Sequence, residues 1–149
     1  NGNIDAFLSG EPFPSMAAAK GYGRILAYPY IEEGIGTINA GMLVRRETIE
    51  KHPERVQALV GMHAEATRYL RKNPARWLAY AARFGVESEV LEKARANMEL
   101  AWRMDKDFVA RARALGKNML ELGMIEREPD YDRLFDLQFV NRVGPEQPL

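Results

Sequence analysis

Few residues in this sequence are equipped for chemistry, and the most unusual group of them forms one turn. Ser9-Gly10-Glu11-Pro12-Phe13-Pro14 follows the apolar run Ile4–Leu8, read as a strand, and opens a helix expected from about Pro12 to Lys20. In open α/β sheets that position, outside the carboxyl end of a strand, is where ligands sit. A helix start offers unpaired backbone N–H groups and a partial positive charge, which suit small anions. Glu11 can accept hydrogen bonds from an ammonium or amide ligand, or steady a neighbouring Arg or Lys. Its simplest role is to complement the helix dipole.

Elsewhere the chemical inventory is thin. There is no cysteine, so disulfides, thiolate metal sites and Cys nucleophiles are excluded together within this chain. The two histidines, His52 and His63, have no partner at metal-ligand spacing. His63 reads as a core residue on the apolar face of a helix, and His52 as the cap before Pro53. No Ser-His-Asp order, HExxH, P-loop or CxxC occurs, and Gly21-Tyr22-Gly23 and Gly34-Ile35-Gly36 are too short for a phosphate loop. No catalytic residue, metal or cofactor is therefore assigned. Trp77, Tyr80, Phe84, Met98, Trp102 and Met104 read as core, and Arg68, Arg71, Lys72 and Arg76 as a solvated helix end matched to the dipole.

The elements that must position the Ser9–Pro12 turn belong to a chain of 149 residues, of ordinary globular composition: 46% hydrophobic and 28% charged. Lys plus Arg (21) equals Asp plus Glu (21), which lacks the basic footprint of a nucleic-acid binder. No apolar run approaches the roughly 18 residues needed to span a bilayer. Residues 1–42 hold seven of the twelve glycines and three of the eight prolines, and residues 43–149 are rich in helix formers. Strands are expected at Ile4–Leu8, Arg24–Tyr28 and Gly36–Arg45. Helices are expected from Pro53 to about Leu70, then at Pro74–Phe84, Glu87–Met98, Asp105–Leu122 and Tyr131–Phe139. Gly21, Gly85 and Gly123 are read as the stops, because a helix C-terminus favours a residue with positive φ. Asn73-Pro74 is read as an N-cap followed by Pro at the first helical position. On the Pro53 helix, Val56, Leu59, Val60, His63, Ala66 or Thr67 and Leu70 define one apolar face. On the Asp105 helix the face is Phe108, Ala112, Leu115, Met119 and Leu122. The chain begins without an initiator Met or signal peptide, directly in a turn and strand, the pattern expected of a piece cut from a longer polypeptide.

Several stretches together resemble a known family. Gly2-Asn3-Ile4-Asp5-Ala6-Phe7, then Glu11-Pro12, then an Ala-rich helix ending Gly21-Tyr22-Gly23-Arg24, is similar to part of a type II periplasmic solute-binding protein. The branch in question serves ABC transporters for nitrate, taurine and alkanesulfonates, and includes binders of thiamine precursors. Residues 42–56 (MLVRRETIEKHPERV) resemble that family's return strand and helix. The ending, with Leu122–Ile125, Pro129-Asp130, Leu134–Asp136 and Phe139, resembles its C-terminal pattern.

The resemblance implies an α/β fold, the C-terminal portion of a two-lobe binding protein that is helix-rich in this part. Residues 1–38 would end the second lobe, 39–45 would form the hinge and return strand, 46–143 the C-terminal helices of the first lobe, and 144–149 a frayed tail. By position, Ser9, Gly10, Glu11 and Pro12 would face the solute, with Asn39 and Gly41 at the hinge approach. Many nitrate and sulfonate binders of the family carry an aromatic residue just before the acidic-Pro pair, where Gly10 stands here. The implied function is the substrate-binding component of an ABC import system, periplasmic or lipid-anchored outside the cell, and not an enzyme. Its partners would be a small-molecule solute, the transporter permease and the missing N-terminal half, with no nucleic acid and no cofactor. Alone, such a chain would favour dimerisation through the apolar surface left open. Two alternatives come from other classes: an enzyme on the same fold, of the desulfinase or pyrimidine-synthase kind, and a helical adaptor domain.

Overall fold

Helix-forming sequence and well-placed breakers decide most of this structure. It is a computed structural model that describes residues 2–29 and 40–144. Among them are eight helices: α1 (Phe13–Ala19), α2 (Arg46–Lys51), α3 (Pro53–Lys72), α4 (Pro74–Ala82), α5 (Ser88–Arg95), α6 (Lys106–Glu121), α7 (Tyr131–Leu134) and α8 (Gln138–Asn141). Gly21, Gly85 and Gly123 follow α1, α4 and α6 with φ of 68°, 85° and 68°, the left-handed geometry that ends a helix cheaply only at glycine. The expected stops are the observed ones.

The starts are more varied. Pro74 opens α4 as expected, and the Asn73 carbonyl accepts from the amides of Arg76 and Trp77. The Asn73 side chain does not cap α4, however. Its amide donates backward to the Tyr69 carbonyl at 2.8 Å, serving the end of α3 instead. Asp105 is a true cap: its carboxylate accepts from the Phe108 amide at 2.9 Å. Losing such a contact costs about 1 kcal/mol. Asp105→Ala is accordingly expected to destabilise the chain by about that much, read as a lower urea midpoint with an unchanged slope, whereas Asp105→Ser should recover most of it.

The chain divides into two compact units, residues 1–28 with 69–101 and residues 29–68 with 102–149. In the first, α5 packs against both α1 and α4. Its core is Trp77, Val90, Leu91 and Ala94, and the polar Ser15 is buried as well. Glu89 and Lys93 on the outer face of α5 pair at 2.9 Å. The Lys93 hydrogen bond, helped by its charge, holds the Glu89 carboxyl below its usual range. The pair is fully exposed, and such pairs are screened by salt.

In the second unit Val56, Ala64, Thr67, Ala112, Tyr131 and Phe139 are buried. On α6 the expected face holds at Phe108, Ala112, Leu115 and Met119, all buried or half-buried, but Leu122 beyond the last turn is exposed. On α3 the face is rotated from the expected one. Val56, Val60, Ala64 and Thr67 point inward, while Leu59, His63 and Ala66 are exposed. His63 is therefore not a core histidine. The cause is that α3 has apolar residues around most of its circumference, so that spacing alone fits two neighbouring faces. Tyr80 and Phe84 are also exposed, at 50% and 88%, and only Trp77 of that trio is core. They sit in the last turn of α4 and just beyond it. The expected helix over Tyr131–Phe139 is two short ones, with Phe135 leaving helical geometry at φ −109°, ψ 110°.

No β-strand occurs among the described residues. Ile4–Leu8 and Arg24–Tyr28 carry no ladder, and neither do residues 40–45. The first part of the expected third strand, 36–39, lies outside the described residues. Ile4, Leu8, Leu26 and Leu43 are exposed, at 70%, 70%, 75% and 95%. A strand exists only through pairing with a neighbour, and these segments have none within the described residues. No helix among the described residues is long and apolar enough to cross a membrane.

Candidate functional site

The Ser9–Pro12 segment is a compact turn at the start of α1. The Phe13 amide donates to the Gly10 carbonyl at 3.3 Å and the Met16 amide to the Pro12 carbonyl at 2.9 Å, which closes the turn into the helix. Ser9, Glu11 and Pro12 are half-buried, and Gly10 is exposed. The space where a Cβ on Gly10 would stand is open, with no atom within 4 Å.

Glu11 faces into the protein. Its carboxylate accepts from the Ser15 amide at 3.2 Å, from the Ser15 hydroxyl at 3.0 Å and from the Asn97 side-chain amide at 3.3 Å. Ser15 occupies the third helical position of α1, so the Glu11 carboxylate satisfies one of the amides that a helix start leaves unpaired. The dipole-complementing role is thus realised, and two further partners are added. Sequence reasoning missed both. Ser15 had a local signal, a hydroxyl four residues after an acid at a helix start. Asn97 had none, since it lies 86 residues away in the turn after α5.

The other two expected site residues are Asn39 and Gly41. Asn39 lies outside the described residues. Gly41 belongs to the other compact unit, is exposed, and also has open space at its Cβ position. His52 precedes α3 as expected, its carbonyl accepting from the amides of Arg55 and Val56, while its ring Nδ1 lies 3.6 Å from Glu54 Oε1. Arg68 is not part of a solvated end. Its guanidinium donates to the Gly144 carbonyl and stacks over Trp102 at 4.7 Å, with Arg103 also 5.3 Å from the ring. Among the described residues no group of three or more His, Cys, Asp or Glu is placed to hold a metal.

What the geometry defines is a helix-rich chain with a polar turn braced from within and one open face at Gly10. A family model described as the NMT1-like family matches residues 1–83, more than half of the chain, and the chain belongs to that family. The match covers the Ser9–Pro12 turn, α1 to α4 and the start of the loop beyond. Membership is consistent with a solute-binding role in ABC import, with a small-molecule solute and a transporter permease as partners in general. No curated protein and no solved structure matches the chain.

Proposed function

We propose that this chain is part of the substrate-binding component of an ABC import system, which captures a small solute between two lobes outside the cytoplasm. The observation that carries this reading is the family match over residues 1–83. Nitrate, taurine, another sulfonate or a related small molecule is the solute class, and the permease is the docking partner. The role is capture without turnover: solute contacts made only in the closed state stabilise lobe closure.

In this reading the fold of the whole protein is α/β, and the exposed apolar residues Ile4, Leu8, Leu26 and Leu43 are covered when segments 4–8, 24–28 and 40–45 pair with the rest of the sheet. The chain then supplies the C-terminal half of the protein. Ser9 and Gly10 present the open face of the turn to the solute, with Glu11 and Pro12 behind them, and Asn39 and Gly41 lie at the hinge approach.

Gly10 gives the sharpest test. A side chain there meets no protein atom at its Cβ, and the position has no positive φ to strain. Gly10→Trp in the full-length protein should leave the melting temperature unchanged and weaken solute binding at least tenfold, about 1.4 kcal/mol. Titration calorimetry with nitrate, taurine, ethanesulfonate and an aminopyrimidine reads it. Unchanged affinity for a solute that the parent protein binds would remove the turn from the site.

A further inference from the structure

The three hydrogen bonds on Glu11 bear on what that residue does for the solute, and the following rests on the solute-capture reading of the Ser9–Pro12 turn. All three donors are neutral and come from inside the first compact unit: Ser15 N at 3.2 Å, Ser15 Oγ at 3.0 Å and Asn97 Nδ2 at 3.3 Å. Ser15 is 5% exposed, so its hydroxyl and amide are largely withdrawn from water and depend on that carboxylate for a partner. The Asn97 contact joins two stretches of chain 86 residues apart, across the packing of α1 on α5. A carboxylate held by three hydrogen bonds from two residues fixes the backbone of its own residue. That residue is next to Gly10, the exposed member of the turn.

We infer that Glu11 is a positioning residue and not a solute contact, and that Asn97 is its partner: the tie from the turn after α5 sets the orientation in which Ser9 and Gly10 meet the solute. Glu11 works through shape and hydrogen bonding, so its negative charge is dispensable. Gln at position 11 offers its oxygen to the Ser15 amide and its NH2 group where Oε1 stood, and the Ser15 hydroxyl and a turned Asn97 amide oxygen accept from it. Asp at position 97 beside Glu11 instead sets two carboxylates against each other and breaks the tie. Combining the two changes restores it with the charge moved to position 97.

The experiment uses the full-length protein and four variants: E11Q, N97D, S15A and the double variant E11Q/N97D. Binding is measured by calorimetry with nitrate, taurine, ethanesulfonate and an aminopyrimidine, and amide exchange is followed over Phe13–Met16. For the solute bound by the parent protein, E11Q and E11Q/N97D should keep Kd within about threefold. N97D should raise it about tenfold, and S15A should lie between, with circular dichroism unchanged throughout. Exchange at Ser15 and Met16 should quicken in N97D and return in the double variant. A role in stability alone would lower the melting temperature without moving Kd. A tenfold loss in E11Q that the double variant does not recover would overturn the inference, because the carboxylate itself would then touch solute. So would an N97D protein that binds as the parent does. If the parent protein binds none of the four probes, the solute-capture reading fails separately, and the exchange pattern then judges the tie by itself: no quickening in N97D would refute it.

Discussion

Phe139→Ala is expected to be the most damaging single truncation in the second compact unit, lowering stability by about 3–5 kcal/mol. Phe139 is 3% exposed although it lies on α8, a helix of four residues that has too few internal hydrogen bonds to stand alone. Its ring must therefore be what anchors that segment. The backbone adds one long-range contact, the Gln57 side-chain amide donating to the Phe139 carbonyl at 3.1 Å. Truncation leaves that carbonyl in place and removes only the apolar body, so the loss reports packing. Gln57→Ala makes the opposite cut and should cost about 1 kcal/mol, the ordinary net worth of one hydrogen bond. Thermal melts followed by circular dichroism read both, with Phe139→Ala expected to lower the midpoint by about 10 °C or more. A drop no larger than that of Gln57→Ala would mean that α8 is held by its backbone contact and that the ring contributes little.

The contrast between what was legible in the sequence and what was not follows the range of the interactions. Helix ends were legible because they are decided within a turn: glycine at positions 21, 85 and 123 is nearly forced by positive φ, and Pro74 fits the first helical position without help from elsewhere. The α6 face was legible because Arg111, Arg113, Lys117, Asn118 and Glu121 occupy much of the rest of its surface. The α3 face was not, since Leu59, Met62, His63 and Ala66 make as good a stripe as Val56, Val60, Ala64 and Thr67, and only tertiary packing chooses between them. The strands were read from apolar residues in short runs, but pairing is a property of two segments, and a run of one segment carries no information about its neighbour. The site divides in the same way. The Ser9–Pro12 turn and the dipole role of Glu11 are local and were visible. The Asn97 contact and the Arg68 stack on Trp102 are long-range in sequence, and side-chain identity alone does not announce them.

Gly116 makes a second large prediction, because it is the one glycine among those described at which a Cβ would collide. It lies in the middle of α6, a place where glycine costs about 1 kcal/mol relative to alanine. A Cβ there would overlap the Tyr131 hydroxyl and come within 3.1 Å of the ring carbon that bears it. The ring has little room to yield. Tyr131 is 5% exposed, the Arg113 guanidinium lies 4.6 Å from its centre, and Phe135 stacks near it at 6.3 Å. Overpacking of this kind costs about 3 kcal/mol, from which the helix preference of alanine returns about 1. Gly116→Ala should therefore destabilise by about 2 kcal/mol.

Tyr131 supplies the control. Its hydroxyl is buried with no hydrogen-bond partner among the described residues, so removing it sheds an unsatisfied polar group. Y131F alone should be neutral or stabilising by up to about 1 kcal/mol. In the Y131F background the overlapping atom is gone, and Gly116→Ala should become nearly neutral, giving a coupling of about 2 kcal/mol between the two positions. Urea titrations of the four proteins measure it. Additive effects would mean that the Tyr131 hydroxyl does not press on Gly116, and a strongly destabilised Y131F would mean that the hydroxyl has a partner after all.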